Sequence, residues 1–387
     1  MSQNPSPFFF PFLFLSLATG LTAGAPYTAR AQGTEDPGNS GTQIISTFDQ
    51  VELTGFWQEA KEGSQKKIMA LILQGSGNVG ADGDFSSPFL GSGYQGQETK
   101  PSIQIAKALS QIGVPSFRYH KRGVEDQNEL PHQTFDYLLK DSLSAIRAMR
   151  QRHPDHKLLI VGTSEGALLA SHLAYQYPLQ AEGLVLLAPP TDPIDTILHY
   201  QFYSWPIDLI EAKFNANHDQ ILHALELENF SLTRKVSLND IQFPFIGASF
   251  APGGVALADL NQDKNISKAE LTSVYSGILS AVKNLMQTPT FAPWYQSLKT
   301  LETFSAVAAG ISLPVLIFQG KADAQVNWHS TIQSASYFED LKTIRLYENL
   351  GHGFSPMEGA YGEVKTSGPI DPVLLKDLKE EVQRLIQ

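Results

Sequence analysis

Apolar positions along the chain follow two alternating rhythms. "IMALILQG", ending at Gly75, is a continuous apolar run closed by glycine, the pattern of a strand buried on both faces. Ile103–Ile112 spaces its apolar residues for a helix and stops at Gly113. "VPSFRYHKRG" is predicted as the next strand and turn, and Phe135–Arg150 as a helix with apolar positions at i, i+3, i+4 and i+7. Leu158–Val161 reads as a strand, Ala167–Tyr177 as a helix ended by Pro178, and Gly183–Ala188 as a strand ended by Pro189-Pro190. Earlier, Val51–Ala60 and Lys66–Leu73 flank "KEGS" and are predicted to pair through that turn. No internal repeat is evident.

Strands alternating with helices at this pitch imply a doubly wound, mostly parallel α/β sheet with right-handed crossovers. The rhythm breaks over 191–290, where the pattern is helical or irregular and holds no convincing core strand. It resumes with "LPVLIFQGKAD" and "TIRLYENLGHGF" and closes on an amphipathic helix from about Pro372 to Ile386. The expected organisation is therefore an α/β core in two parts, 45–190 and 291–387, interrupted by a helical insertion at 191–290. Such an insertion is expected to form a lid over the strands' C-terminal edge, where ligands bind in open α/β sheets.

The N-terminus departs from this pattern. Residues from Phe8 to about Leu21 are apolar, and Ala29-Arg30-Ala31 before Gln32 matches an A-x-A cleavage site. The run is short for a bilayer span, so 1–31 reads as a signal peptide, 32–44 as a disordered lead-in, and the protein as exported without a membrane span. Composition adds exclusions. The chain has 387 residues with 28 Lys plus Arg against 39 Asp plus Glu, and a formal net charge of -11 argues against nucleic acid as a partner. There is no cysteine, which removes disulfides, thiolate metal sites and cysteine nucleophiles.

Candidate chemistry centres on "LLIVGTSEGALLA", where Ser164 stands between Gly162 and Gly166 at a strand-to-helix junction. A nucleophile on so tight a turn needs neighbours without side chains, and the next helix places its positive end beneath it. The amide of Glu165 then points where an oxyanion forms, and a second donor is expected from "QGSG" after an early strand, Ser76 first and Gly77 next. A serine hydroxyl needs a base, and the base an acid. Asp323 in "QGKADAQV" and His352 in "NLGHGF" each follow a buried strand, in the chain order Ser, Asp, His expected for such a sheet. Asp192 competes as the acid, and His329 competes, less well, as the base.

The insertion carries a second pattern. "DLNQDKNISKAE" sets oxygen ligands at loop positions 1, 3, 5, 9 and 12, namely Asp259, Asn261, Asp263, Ser267 and Glu270, with Asn265 offering its carbonyl at position 7. That fits an EF-hand-like structural calcium site over 259–270, except that Lys264 stands where glycine is usual. Ser267 to Glu270 equally spells a helix capping box, and the sequence leaves both open.

On "LILQGSGNVGADGD", "GVPSFRYHKRG", "VGTSEGALLA", "GLVLLAPP", "QGKADAQV" and "GHGF", the chain resembles the α/β-hydrolase superfamily over roughly 45–190 and 290–387. It looks most like bacterial carboxylesterases near the dienelactone hydrolase and serine aminopeptidase-like groups. Gln74 replaces the family's histidine in the early loop, His120 its aspartate after the next strand, and Thr163 its histidine before the nucleophile. "TPTFAPWYQSL" resembles the Pro-Trp stretch that leads back from the family's lid. The resemblance implies hydrolysis of a small-molecule carboxylic ester through an acyl-enzyme on Ser164, with no cofactor for catalysis. A peptidase, amidase or thioesterase with the same triad, or a catalytically silent binding protein, shares these features.

Overall fold

The structure, a computed structural model, describes residues 41–61, 67–83, 100–215, 217–223, 226, 259–263, 265–356 and 369–387. The signal segment, most of the lead-in, the middle of the insertion and Lys264 lie outside the described residues. Among the described residues, no helix is long and apolar enough to cross a membrane.

Eight strands form the main sheet: β1 (Thr42–Ser46), β2 (Glu52–Gln58), β3 (Ile68–Leu73), β4 (Ser116–Tyr119), β5 (Lys157–Thr163), β6 (Ala181–Leu187), β9 (Val315–Gly320) and β10 (Lys342–Tyr347). Their order is β1-β2-β4-β3-β5-β6-β9-β10, and β2 alone runs against the rest. The sheet is thus doubly wound and mostly parallel, as the alternation implied.

Two expectations need correction. The segments flanking "KEGS" do not form a hairpin: β2 pairs antiparallel with β1 and β4, while β3 lies between β4 and β5. All six residues of β3 are buried, so its stable place is the middle of the sheet. Gly55 of β2 admits the Phe117 ring of β4, whose nearest atom would be 2.1 Å from any Cβ there. The expected lead-in also ends early, because β1 begins at Thr42. Ile45 is buried, and Gln43 Oε1 accepts from Trp57 Nε1 at 2.8 Å, which ties this stretch to the sheet.

Helices cover both faces. On one side α1 (Pro101–Gln111) and α10 (Pro372–Leu385) bury Ile105, Leu109, Leu374 and Leu378 against the alternate residues Ala70 and Ile72 of β3. On the other side α2 (Phe135–Arg152) and α3 (Glu165–Gln176) pack Leu138, Ile146, Leu169 and Leu173 against Leu71 and Ile160. Alternation along β3 thus feeds two cores from one strand. The turn after β4 is anchored by Arg122, which is fully buried and donates to both carboxylate oxygens of Asp141 at 2.7 Å.

Between β6 and β9 lie α4 (Ile194–His199), a π-helical turn (Tyr200–Ser204), α5 (Trp205–Phe214), β7 (Ile221–His223), β8 (Asn265–Ser267), α6 (Lys268–Leu285) and α7 (Ala292–Lys299). They carry a small core of their own, including Leu198, Phe202, Leu279, Val282, Met286 and Tyr295. β7 and β8 belong to no core sheet; they pair with each other in a separate two-stranded ribbon. α8 (Phe304–Ala309) leads into β9, and α9 (Trp328–Ala335) follows it.

Candidate active site

β5 ends at Thr163 and α3 begins at Glu165, leaving a single residue for the reversal. That residue, Ser164, has φ 54° and ψ -123°, a region that costs a non-glycine residue about 1–3 kcal/mol. The strain is held from both sides. Ser164 N donates to Leu187 O at 2.8 Å, and Ser164 O accepts from Ala167 N at 2.8 Å. The flanking glycines are required by backbone contact. A Cβ on Gly162 would lie 2.1 Å from Gly166 O, and one on Gly166 would lie 2.2 Å from Leu73 O. The Ser164 side chain makes no capping bond to α3, so the hydroxyl is not spent on the helix.

The adjacent strand supplies the facing wall. Beyond β3, a Cβ on Gly75 would stand 3.2 Å from Ser164 Cβ and 3.7 Å from its Oγ. Ser76 and Gly77 follow directly, and Gly77 takes a positive φ of 84°. Gln74, which replaces the family's histidine, is buried and donates through Nε2 to Ala81 O and Tyr119 O, each at 3.2 Å. It therefore pins the loop after β3 to the strand beside it. His120 accepts from Ala81 N at its Nδ1, 3.0 Å away, and burial holds its pKa below the ordinary histidine value. A neutral ring with its proton on Nε2 meets both observations.

Two strands further on, Asp323 follows β9 and His352 follows β10. The imidazole Nδ1 lies 2.9 Å from Asp323 Oδ2 and 3.1 Å from Oδ1, so the ring donates to this carboxylate. Asp323 is fully buried and also accepts from the amides of Gln325 at 2.7 Å and Val326 at 2.9 Å, and from Gln319 Nε2 at 3.0 Å. Gly320 lets the loop bearing His352 cross closely, since a Cβ there would meet Leu350 O at 2.1 Å. Of the competing residues, Asp192 follows β6, and His329 sits in α9 with its ring stacked on Trp328. Ser164, Asp323 and His352 thus all stand at the C-terminal ends of parallel strands, with the reversal of strand order between β3 and β5 beside the serine.

Sequence reasoning used only the amide of Glu165 and missed its side chain. The carboxylate is buried under the turn, accepting from Lys121 Nζ at 2.7 Å and Trp294 Nε1 at 2.6 Å. Lys121 Nζ also donates to Gly75 O at 3.0 Å. One ion pair therefore links the serine turn, the loop after β3 and the helix α7 that returns from the insertion. The quoted stretches "HKRG" and "APWY" contained both partners, but no local pattern marks a lysine and a tryptophan as neighbours of one glutamate.

An eight-stranded sheet with only its second strand reversed, and a strained serine on the turn after the fifth, decides the architecture. The chain has the α/β-hydrolase fold. The family description "Serine aminopeptidase, S33" matches residues 96–240. The esterase EstD of Thermotoga maritima is 30% identical over 98 residues, a stretch that covers 25% of this chain and 23% of that protein. Est1E from Butyrivibrio proteoclasticus is 14% identical, covering 90% of this chain and 99% of that one at a TM-score of 0.48. XC6422 from Xanthomonas campestris, described as a serine hydrolase without lid, is 12% identical at a TM-score of 0.42, covering 91% and 94%.

In the loop 259–270 the helix cap is formed. Ser267 Oγ accepts from Glu270 N at 3.3 Å, and Glu270 Oε2 accepts from Ser267 N at 2.8 Å. Asp259 Oδ1 accepts from Asp263 N at 3.0 Å, and Asn261 Nδ2 reaches Asp263 Oδ2 at 3.1 Å. Among the described residues, no three His, Asp or Glu side chains converge as a metal-ligand group.

Proposed function

We propose that the chain is an exported serine hydrolase of carboxylic esters. Ser164 attacks the acyl carbon, His352 takes the hydroxyl proton and returns it to the leaving alkoxide, and Asp323 orients the ring and stabilises its charged form. The amides of Glu165 and Ser76, with Gly77 as the neighbour, hold the oxygen of the tetrahedral intermediate. Water then attacks the acyl-enzyme by the same proton path in reverse. The segment 191–290 serves as the lid that selects the substrate.

The observation that carries this reading is the strained Ser164 turn facing the Gly75 loop, at the same sheet edge as the Asp323–His352 hydrogen bond. Backbone strain of this kind persists where the surroundings over-determine it, and here it holds a hydroxyl clear of the helix. The insertion supports the lid role, because Tyr200 of its π-helical turn donates through its hydroxyl to Asp323 O at 3.0 Å.

A fluorophosphonate probe followed by peptide mapping tests the reading. An adduct on Ser164 that vanishes in S164A is expected; a folded protein that takes no label would leave a binding protein of the same fold. The matching aminopeptidase description gives a peptidase a hearing. Short p-nitrophenyl esters are expected to turn over and aminoacyl anilides not; the reverse preference would replace the esterase with a peptidase.

A further inference from the structure

The chain contains a repeat that its hydrophobic pattern hides. "NANHDQILHALE", 215–226, aligns without gaps on "DLNQDKNISKAE", 259–270, at an offset of 44 residues, with the same residue at positions 3, 5 and 12. Oxygen-bearing side chains recur at positions 1, 3, 5 and 12: Asn215, Asn217, Asp219 and Glu226 in the first loop. Position 7 in each contributes a backbone carbonyl, and position 8 is apolar, Leu222 or Ile266.

The two loops also share one set of hydrogen bonds. The position-12 carboxylate accepts from the position-3 amide: Glu226 from Asn217 and Glu270 from Asn261, both at 3.2 Å. It also accepts from the position-9 amide, Glu226 from His223 at 3.0 Å and Glu270 from Ser267 at 2.8 Å. The position-5 aspartate accepts from the position-7 amide at 2.8 Å in both. Left-handed φ falls at position 4 in both, His218 at 58° and Gln262 at 63°, and at position 6 of the first loop, Gln220 at 67°. A residue other than glycine, Gln220, thus makes the sharp turn at position 6 of the first loop, the position that Lys264 occupies in the second sequence.

The loops meet through an antiparallel ribbon. β7 and β8 pair antiparallel with Leu222 opposite Ile266, the two position-8 residues, both buried. α5 leads into the first loop and α6 leads out of the second. This is how two calcium loops are joined when each supplies position 8 to a common ribbon. His223 adds a link across the pair, with Nδ1 3.0 Å from Asn265 Oδ1 and Nε2 2.9 Å from Asp219 Oδ2.

An independent observation points to a missing ligand. Asn215, position 1 of the first loop, is only 3% exposed, and its Oδ1 is buried with no partner among the described residues. Leaving such an acceptor unpaired costs about 1–3 kcal/mol. At position 1 of the second loop Asp259 turns its Oδ1 inward onto the Asp263 amide. A cation at the loop centre supplies the partner that Asn215 lacks, since position 1 is a ligand in loops of this type.

We infer that 215–226 and 259–270 form a paired, EF-hand-like module that binds one calcium ion per loop. The first loop's ligands are the side-chain oxygens of Asn215, Asn217, Asp219 and Glu226 and the carbonyl of Ile221. The module is a structural clip. It fastens α5 and α6, and α6 packs with Phe202 from the π-helical turn whose Tyr200 bonds the Asp323 loop. The inference holds whether or not the chain hydrolyses esters.

Isothermal titration of chelator-treated full chain with calcium chloride tests it, with mass spectrometry under native conditions as a count of bound ions. Two ions per chain are expected, falling to one in E226Q and to one in E270Q, with a rise in melting temperature on adding calcium to the wild type. Wild type binding one ion or none, or E226Q still binding two, overturns the paired site. Because the count is made first on the wild type, a variant that fails to fold does not rescue the idea.

Discussion

Replacing Lys121 with methionine probes the buried ion pair under the serine turn. The side chains of Lys121 and Glu165 are 4% and 3% exposed, so removing the ammonium leaves a carboxylate sealed from water. Breaking such a pair on one side costs about 3–5 kcal/mol, because the remaining charge has lost its compensation. Gly75 O loses a donor as well, at about 1–3 kcal/mol if water does not replace it. These losses overlap, so K121M is expected to lose about 3–5 kcal/mol in total. The double variant K121M/E165Q removes both charges and keeps an acceptor for Trp294 Nε1, and is expected to recover most of that loss. Urea denaturation of wild type, both single variants and the double variant gives the coupling energy directly. Turnover of p-nitrophenyl acetate should fall in K121M beyond what the unfolded fraction explains, since the Gly75 loop has lost its tether. A K121M loss below about 1 kcal/mol, or a double variant as unstable as the sum of the singles, would refute the reasoning.

Other residues give sharper local tests. D323N keeps an acceptor for the Gln325 and Val326 amides but turns its Nδ2 toward Gln319 Nε2 and holds His352 in the wrong tautomer; kcat is expected to drop by about three to four powers of ten, with about 1–3 kcal/mol of stability lost because Gln319 loses an acceptor. G166A forces a Cβ within 2.2 Å of Leu73 O, which is backbone and has no rotamer to yield; about 1–3 kcal/mol of stability and most of the activity should go, and an active, stable G166A would contradict the packing. His172 is buried in α3 and burial lowers its pKa to about 4 from 6.5. The unfolded chain therefore binds the proton first, so this contribution is complete above about pH 6.5 and is lost as pH falls toward 4, by about 3 kcal/mol at most. Denaturation midpoints across that range should slope less in H172L than in wild type; parallel slopes would assign the pH dependence elsewhere.

The sequence by itself determined the layer architecture and the candidate chemistry. Buried strands announce themselves as apolar runs closed by glycine or proline, and the reversal at Ser164 needs glycines that stand next to it in the chain. Asp323 was legible because it follows such a strand. His352 follows β10, which lies at the sheet edge with no residue buried, so the expectation of a buried strand there was wrong and only its place between Gly351 and Gly353 marked it. These are local signals, and local backbone geometry dictates them. Only the tertiary structure decided which strands are neighbours. β2 and β3 are adjacent in sequence, yet β4 comes between them, because β3 must be covered on both faces and Phe117 needs the space over Gly55. The same holds for Glu165, whose partners Lys121 and Trp294 lie 44 and 129 residues away, and for the pairing of Leu222 with Ile266. Such contacts follow from how the layers close around a shared core, and that long-range packing leaves no periodic trace along the chain.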